Sequence, residues 1–493
     1  MTSRILPACL VAAVSCAHGP IDPRSGGAGE RPLADAGSLP LTSAARPDFA
    51  PCRAPTFPWT YGGTRNGLCN LSAHEGPRPV AAVDGTFFLA TAFNAPLRIG
   101  QNALATAGIS NLVARLGIDG QLLWARPWPA SPRPDGTLDS TVRAMASNPA
   151  GALAIVVSFA ANHGRFDFGR GQIPARVPGQ ALLRFDGSGN PTLQLWRANG
   201  SEPFAWTQVW LQSGGGFMVA GERRPDATET LSSSLNVLFT YDPAGHLIDE
   251  EPLLPRDRVA VGSEGPMAIL STTTDGCQFL TSFDTPPPRA HPAFRRSWCT
   301  GIEVNALAVD AKGGVVLAGF GDGVLDLGSG PLTFRSPRFE GTGPVTDWGA
   351  DYFIVRYQPT GAVDWIYRFT ADSRLDDLRF GLDGTVYVGG TLRGRASLGG
   401  AMLGLPDRRG TYVLEIDSRG RHARSAVVSY GNDPGAVDVL PAPEGSAILM
   451  TRDAPEVAHG FDAIHAWAPP SDDPEPAEMK RPCSVIRLCP APP

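Results

Sequence analysis

Short apolar runs broken by glycine set the rhythm of this chain. Seven times an apolar run meets a glycine, turns, and leaves as a second apolar run, at Gly85, Gly151, Gly216, Gly276, Gly314, Gly384 and Gly445. Most of these lie 60 to 70 residues apart, with one short gap of 38 between Gly276 and Gly314. A period of that size marks a repeat architecture, each copy being one supersecondary unit. The flanks are β-branched or small apolar residues, and Asp, Asn, Gly and Pro supply the turns, which predicts strands joined by tight hairpins.

Three signatures recur within the unit. The first is the hairpin itself, clearest in Asn305-Ala-Leu-Ala-Val-Asp-Ala-Lys-Gly-Gly-Val-Val-Leu-Ala-Gly319, in Val142 to Val156, and in Leu378 to Gly390. The second is a glycine closing a short apolar alternation: Leu97-Arg-Ile-Gly100, Phe166-Asp-Phe-Gly169, Leu325-Asp-Leu-Gly328 and Ala396-Ser-Leu-Gly399. The third is a strand, an Asp/Pro/Gly turn, and a strand often carrying Trp, as in Asn111 to Trp124, Ala181 to Trp196 and Asp351 to Trp365. Four strands per unit predict an all-β fold, a β-propeller of about seven four-stranded antiparallel blades over 77–468. The three tryptophans read as repeated packing positions.

These signatures resemble the bacterial seven-bladed β-propeller repeat family of secreted and lipid-anchored proteins. The strongest copies are 305–369 and 375–417. The fourth unit, around Thr274-Asp-Gly-Cys277, departs from the pattern by lacking the middle glycine signature and the Asp-x-x-Gly turn. The resemblance implies a fold and an extracytoplasmic location, and little about activity.

The N-terminus points the same way. Arg4 precedes an apolar stretch from Ile5 to Val14, too short for a permanent span but suited to a signal peptide. It ends in Ala13-Val-Ser-Cys16, similar to a bacterial lipobox, although Ala13 stands where leucine is usual. Residues 1–16 are therefore expected to be a lipoprotein signal peptide with Cys16 lipidated; ordinary cleavage to a periplasmic or secreted form is the alternative. Ala17 follows the cysteine, which by family analogy favours the outer membrane or cell surface. Residues 17–56 are rich in Gly, Pro, Ala, Ser and Arg and read as a disordered tether, since they hold too little apolar surface to offset ordering entropy. The tail 469–493 is proline-rich and carries a cysteine pair.

Composition narrows the function classes. Charged residues are 18%, Gly 57 and Pro 47 supply many turns, and the net charge of −6 comes with no basic block, so a nucleic-acid partner finds no electrostatic footprint. Apart from Cys9 and Cys16, six cysteines remain, an even number that in an exported chain argues for disulfides. Cys277 and Cys299 stand alone in the fourth unit and are expected to pair. Cys52, Cys69, Cys483 and Cys489 sit at the two ends and allow three connectivities. No spacing among them suits zinc.

The seventh unit runs into proline before a fourth strand, after an expected third strand at Asp462–Trp467. Either Phe57–Tyr61, within a ring-closing segment 57–76, or Cys483–Cys489 could complete it, and Trp59-Thr-Tyr-Gly-Gly63 favours the first. Up-and-down blades place the tight turns on one face, so the long, variable connections share the other, where binding residues concentrate. The longest runs from Pro331 to Ala350; its Arg335, Arg338, Asp347 and Trp348 are the candidate partner-binding residues, with Glu340 beside them.

No nucleophile elbow, zinc-protease motif or phosphate loop occurs. Asp249-Glu-Glu251 and Asp376-Asp377 are paired carboxylates whose blade-edge positions suggest solvated ends. The turn residues Asp119, Asp186, Asp242 and Asp417 each bring one carboxylate, too few for calcium, and read as Asx-type turn stabilisers. His163, His246, His291 and His422 fall in turn-rich contexts. The innermost strands read as small and apolar. No catalytic, cofactor-binding or metal-binding residue is assigned. The expectation is a non-enzymatic envelope module binding a protein or glycan; the alternatives are a propeller enzyme (lyase, glycosidase or quinoprotein-like) or an envelope assembly factor.

Overall fold

In the computed structural model the described residues comprise most of 80–335 and 349–457, with Phe49–Pro51, Ala463–His465 and Cys483–Pro490. The chain divides into 1–45 and 46–493, and only the second unit contains described residues. Cys16, Cys52, Cys69 and most of the proposed tether lie outside them. No helix occurs among the described residues, so none there is long and apolar enough to cross a membrane.

Six successive sheets share one order, four antiparallel strands in sequence from the ring axis outward, with Glu456–Val457 added as a fifth strand on the outer edge of the sixth. Their innermost strands are Val80–Ala81, Ser140–Ser147, Phe204–Leu211, Arg258–Val261, Ile302–Val309 and Ser373–Phe380; these define blades 1 to 6. The expectation of about seven blades is corrected to six of this form. The C-terminal hairpin, Asp438–Pro441 with Ala447–Arg452, belongs to a sheet of another make. Its third strand is Cys483–Pro490, not the expected Asp462–Trp467 segment. Both Ala463–His465 and Phe49–Pro51 pair along the far edge of that strand, opposite Ser484–Ile486 and Leu488–Pro490 respectively. Parts of the proposed tether and tail are thus strands, because Val485 and Ile486 give the tail a β-branched run that can extend a sheet. Phe57–Tyr61 lies outside the described residues. Asp438–Pro441 contacts the innermost strands of both blade 6 and blade 1, which brings the two ends of the chain's ring together.

Hydrophobic burial occurs between blades. One apolar cluster joins Tyr352, Trp365 and Phe369 of blade 5 to Leu375, Val388 and Tyr412 of blade 6. Others join blades 1 and 2, 2 and 3, 3 and 4, and 4 and 5. Because both faces of every blade are covered, middle strands such as Leu153–Phe159 and Val315–Gly321 are buried on both sides and read as continuous apolar runs. Outer strands such as Val363–Ala371 alternate.

The tight turns share one hydrogen-bond plan. In Asp186–Asn190 the Asp186 N–H donates to Asn190 O and the Gly189 N–H donates back to Asp186 O, both at 2.9 Å. Gly189 has φ +79°, a left-handed conformation that glycine adopts without steric cost. Asp186 Oδ1 accepts from the Ser188 and Asn190 N–H groups; Asp310 and Asp417 repeat the geometry. The reading of Asp186, Asp242 and Asp417 as turn stabilisers therefore holds, while Asp119 is not described.

The second signature is also explained. Short hairpins between strands two and three occur in blades 1, 2, 5 and 6, and in the latter three each docks on the outermost strand of the preceding blade. Phe168 meets Trp128 edge-on at 5.5 Å, Trp298 Nε1 donates to Asp326 O at 3.1 Å, and the Tyr367 hydroxyl donates to Leu398 O. Blade 4 has a five-residue turn instead, Thr273–Cys277. Gly276 is in that turn, and the equivalent of the other hairpin glycines is Gly265, which removes most of the spacing anomaly. Cys277 and Cys299 extend the Gln278–Trp298 pairing by one position and form the expected disulfide.

Cys277→Ser should leave a reactive Cys299 thiol and lower stability by roughly 3 kcal/mol, the chain-entropy value for a loop of this size, as read by urea unfolding. A second expectation concerns acid. Hydrogen bonding from the Asn190 N–H holds the Asp186 carboxyl below the usual carboxylate range, and the His246 N–H does the same to Asp242. A depressed folded value stabilises above the unfolded value, near 4, and that stabilisation is lost as pH falls through the folded value. Asp186→Ala should therefore cost stability at neutral pH, and the cost should shrink in unfolding series carried towards about pH 2.

Candidate functional site

An innermost strand has its two faces against neighbouring blades and one edge bonded to strand two. Solvent reaches its middle only from the free edge, at the ring axis. The innermost strands of blades 2, 3, 5 and 6 each carry a β-bulge at the same height, with Arg143, Thr207, Asn305 and Asp376 as the extra residues. Blade 4 has no bulge, and counting from its tight turn puts Arg258 one position nearer the turn than the bulge residues, level with Gln208 and Asp377. Its guanidinium donates to Asn305 O. By backbone pairing Asp438 of the C-terminal sheet falls at the register of Arg258. Blades 2 to 6 therefore bring a belt of polar residues, two positions deep, to the axis.

The backbone is built for this belt. Strand two carries Gly319 opposite the blade 5 bulge and Gly390 opposite that of blade 6. A Cβ on either would lie 2.1 Å from a carbonyl oxygen of the bulged strand, Glu303 O or Arg374 O. The glycines that end the hairpin signature are thus needed for close approach, a bulge role that sequence alone left unassigned.

The expectation of small apolar inner strands holds below the belt, at Ala306-Leu-Ala-Val309, and is corrected at the belt itself. Arg143, Thr207 and Gln208 are exposed, and Asn305 is half-buried. The Asn305 Oδ1 is buried and accepts no hydrogen bond. Asp376 and Asp377 are not solvated ends. Their side chains are 2% and 14% exposed, and they pair with Arg374 at 2.6 Å and Arg379 at 3.1 Å. Asp377 also accepts from the Val439 N–H at 3.1 Å, tying blade 6 to the C-terminal sheet. Glu303 and Arg374 occupy the next exposed row towards the face that bears the long connections. Asp249 and Glu251 lie on the outermost strand of blade 3, where burial and then the Asp249 charge raise the Glu251 carboxyl.

Of the candidate partner-binding residues, Arg335 is described; Arg338, Asp347 and Trp348 lie outside the described residues, as does Glu340. Pro331–Phe334 belongs to the blade 5 hairpin, so the free loop begins later than expected. Its base is fixed by one carboxylate: Asp351 accepts from the Arg335 N–H at 2.9 Å and from the Thr370 hydroxyl at 2.5 Å, with Arg368 at 3.5 Å. The Arg335 residue is exposed. A groove of about 680 Å³ lies nearby on the blade 5 rim, lined by Arg296, Leu332, Val363, Trp365 and Arg368. Its arginines are engaged, Arg296 with Gly361 O and Arg368 with Thr333 O.

The other sequence candidates are structural or superficial. Trp124 and Trp365 occupy equivalent positions and donate to Gly187 O and Ser418 O of the next blade's turn. Trp196 is not their equivalent; Leu193 holds that position, and Trp196 is 42% exposed. His246 and His291 are exposed, His422 is half-buried with Nε2 2.9 Å from Ser425 Oγ, and His163 is not described. Cys483 and Cys489 are placed by backbone register opposite Arg452 and Ala50. Among the described residues no group of three His, Cys, Asp or Glu could hold a metal ion.

No protein-family model matches the chain, and no curated protein matches it. Solved structures with a similar course include the polysaccharide lyase Uly1, 9% identical, covering 90% of this chain and 97% of that one with a TM-score of 0.40. The β-propeller domain of the Trilobed protease from Pyrococcus furiosus is 8% identical over 71% and 94%, TM-score 0.34. The Hadza microbial sialidase Hz136 is 12% identical over 67% and 66%, TM-score 0.34. Likenesses this distant say nothing about activity. The β-propeller is established by the blades themselves.

Proposed function

We propose that the protein is a non-enzymatic binding module of the cell envelope, lipid-anchored through Cys16 at the outer membrane or cell surface, engaging a protein or glycan partner from its loop-bearing face. The observation that carries this reading is the pairing of the axial charges. Asp376 with Arg374 and Asp377 with Arg379 form ion pairs along one strand. A carboxylate paired in this way is held in one orientation by its partner, which suits recognition. The hydrogen bonds that Asp351 makes to Arg335 and Thr370 support the same reading, because they fix the base from which the candidate residues extend. The C-terminal sheet, contacting blades 6 and 1, completes the ring as a seventh blade in keeping with the family resemblance.

Two experiments test the proposal. Cys16→Ser should abolish lipid attachment and release the protein from membranes on fractionation; retention with membranes after processing rejects the anchor. Tagged protein should capture a partner from envelope extract, and Trp348→Ala or Arg338→Ala should weaken capture about tenfold or more, as expected for interface aromatic and arginine side chains. Asp417→Ala, on the opposite face, should leave it unchanged. The reverse pattern moves the site to the tight-turn face.

A further inference from the structure

The polar belt deepens that reading and rests on it: we infer that the belt at the ring axis is the ligand subsite, and that its ligand is an uncharged saccharide. Small apolar side chains suffice to fill the inner strands nearer the tight turns, as Ala306, Leu307 and Ala308 do. Over the two positions of the belt they give way to Arg143, Thr207, Arg258, Asn305, Asp376 and Asp377, so neighbouring blades change character at one level. Four of these strands bulge there, three with glycine opposite, and at Gly319 and Gly390 there is no room for any other residue. A feature repeated in backbone and side chain alike is a constructed site.

Its chemistry selects the ligand. Guanidinium groups only donate and carboxylates only accept, while the Thr207 hydroxyl and the Asn305 amide do both. Arg143 and Arg258 balance Asp376 and Asp377 in formal charge. An anion would enter the field of the two carboxylates, and a cation would meet Arg143 and Arg258. An apolar ligand would strip water from all of them without replacing its bonds. Sugar hydroxyls donate and accept around their whole circumference and match a ring of alternating character. Among the described residues the buried Asn305 Oδ1 has no donor, and a hydroxyl supplies one once the amide turns to the axis. Exposed Glu303 and Arg374 in the row beyond the bulges, and exposed Gln208 on their tight-turn side, offer further groups of both kinds.

The test is an array of neutral and acidic oligosaccharides probed with the full mature chain, followed by titration calorimetry with the best neutral binder. A neutral oligosaccharide should bind, and Asn305→Ala and Thr207→Val should each weaken it at least tenfold without moving the thermal midpoint. Thr207→Val keeps shape at an exposed position, so it reports on binding even if the Asn305 variant folds poorly. An array without a neutral binder, binding confined to acidic glycans, or binding indifferent to Thr207→Val would overturn the inference. A protein captured from envelope extract alongside a blank array would leave the binding-module reading standing and remove the saccharide.

Discussion

Every sheet in this molecule must have both faces covered, and the rest of the structure follows from that. A blade whose middle strands are apolar on both sides cannot stand alone in water; it needs a neighbour on each flank, and a ring provides one for all. The apolar clusters accordingly span pairs of blades, with Tyr352, Trp365 and Phe369 packed on the Leu375 to Leu392 hairpin as the largest. The constraint also explains why the two ends of the chain meet. Blades 1 and 6 would each expose an apolar face without the C-terminal sheet between them. That sheet takes strands from Phe49–Pro51 and from Cys483–Pro490, so closing it removes chain entropy at both ends together.

Radial packing alone leaves successive blades free to slide, and polar ties on the tight-turn face prevent it. Arg115 Nη1 donates to Gly187 O at 2.6 Å, Arg184 Nη1 to Gly215 O at 2.5 Å, and Arg356 Nη1 to Gly384 O at 3.4 Å, each reaching the next blade's turn. The turn glycines then seat on the preceding outer strand. A Cβ at Gly189 would be 2.6 Å from the Trp124 ring, and one at Gly420 would be 2.5 Å from Trp365. In blade 6 the corresponding strand-three position is Glu415, which forms a buried pair with Arg424, Nε to Oε2 at 2.8 Å. Such a pair needs its hydrogen bonds to offset desolvation, and it fixes register more than it stabilises.

Local pattern made the blades legible. Tight turns carry their own hydrogen-bond code, and Asp186 or Asp417 announces it. Doubly buried strands announce themselves as unbroken apolar runs. Blade 4 misled for a physical reason: its second connection shrank to Thr273–Cys277, so a glycine from the wrong turn carried the rhythm. The end sheet was ambiguous because its strands are remote in sequence, and only long-range pairing decides between Cys483–Pro490 and other candidates. Trp196 misled because a tryptophan three residues beyond the packing position, which Leu193 holds, looks like the repeated one when register is not known.

The axial belt was the least legible feature, and its concealment is instructive. A bulge adds one residue without changing the look of a strand, so Val142-Arg-Ala and Val304-Asn-Ala read as ordinary alternation. The visible trace is the glycine in strand two, whose function appears only when the opposing carbonyl is in place. In blades 5 and 6 that coupling ties fold to site: the close backbone approach that the glycine permits accommodates an extra polar residue at the one surface that radial packing leaves uncovered. In a ring whose sheet faces are all occupied, polar side chains on the innermost strands have the axis as their outlet. A binding function built on this chain is therefore drawn there by the same demand for covered faces that closes the ring.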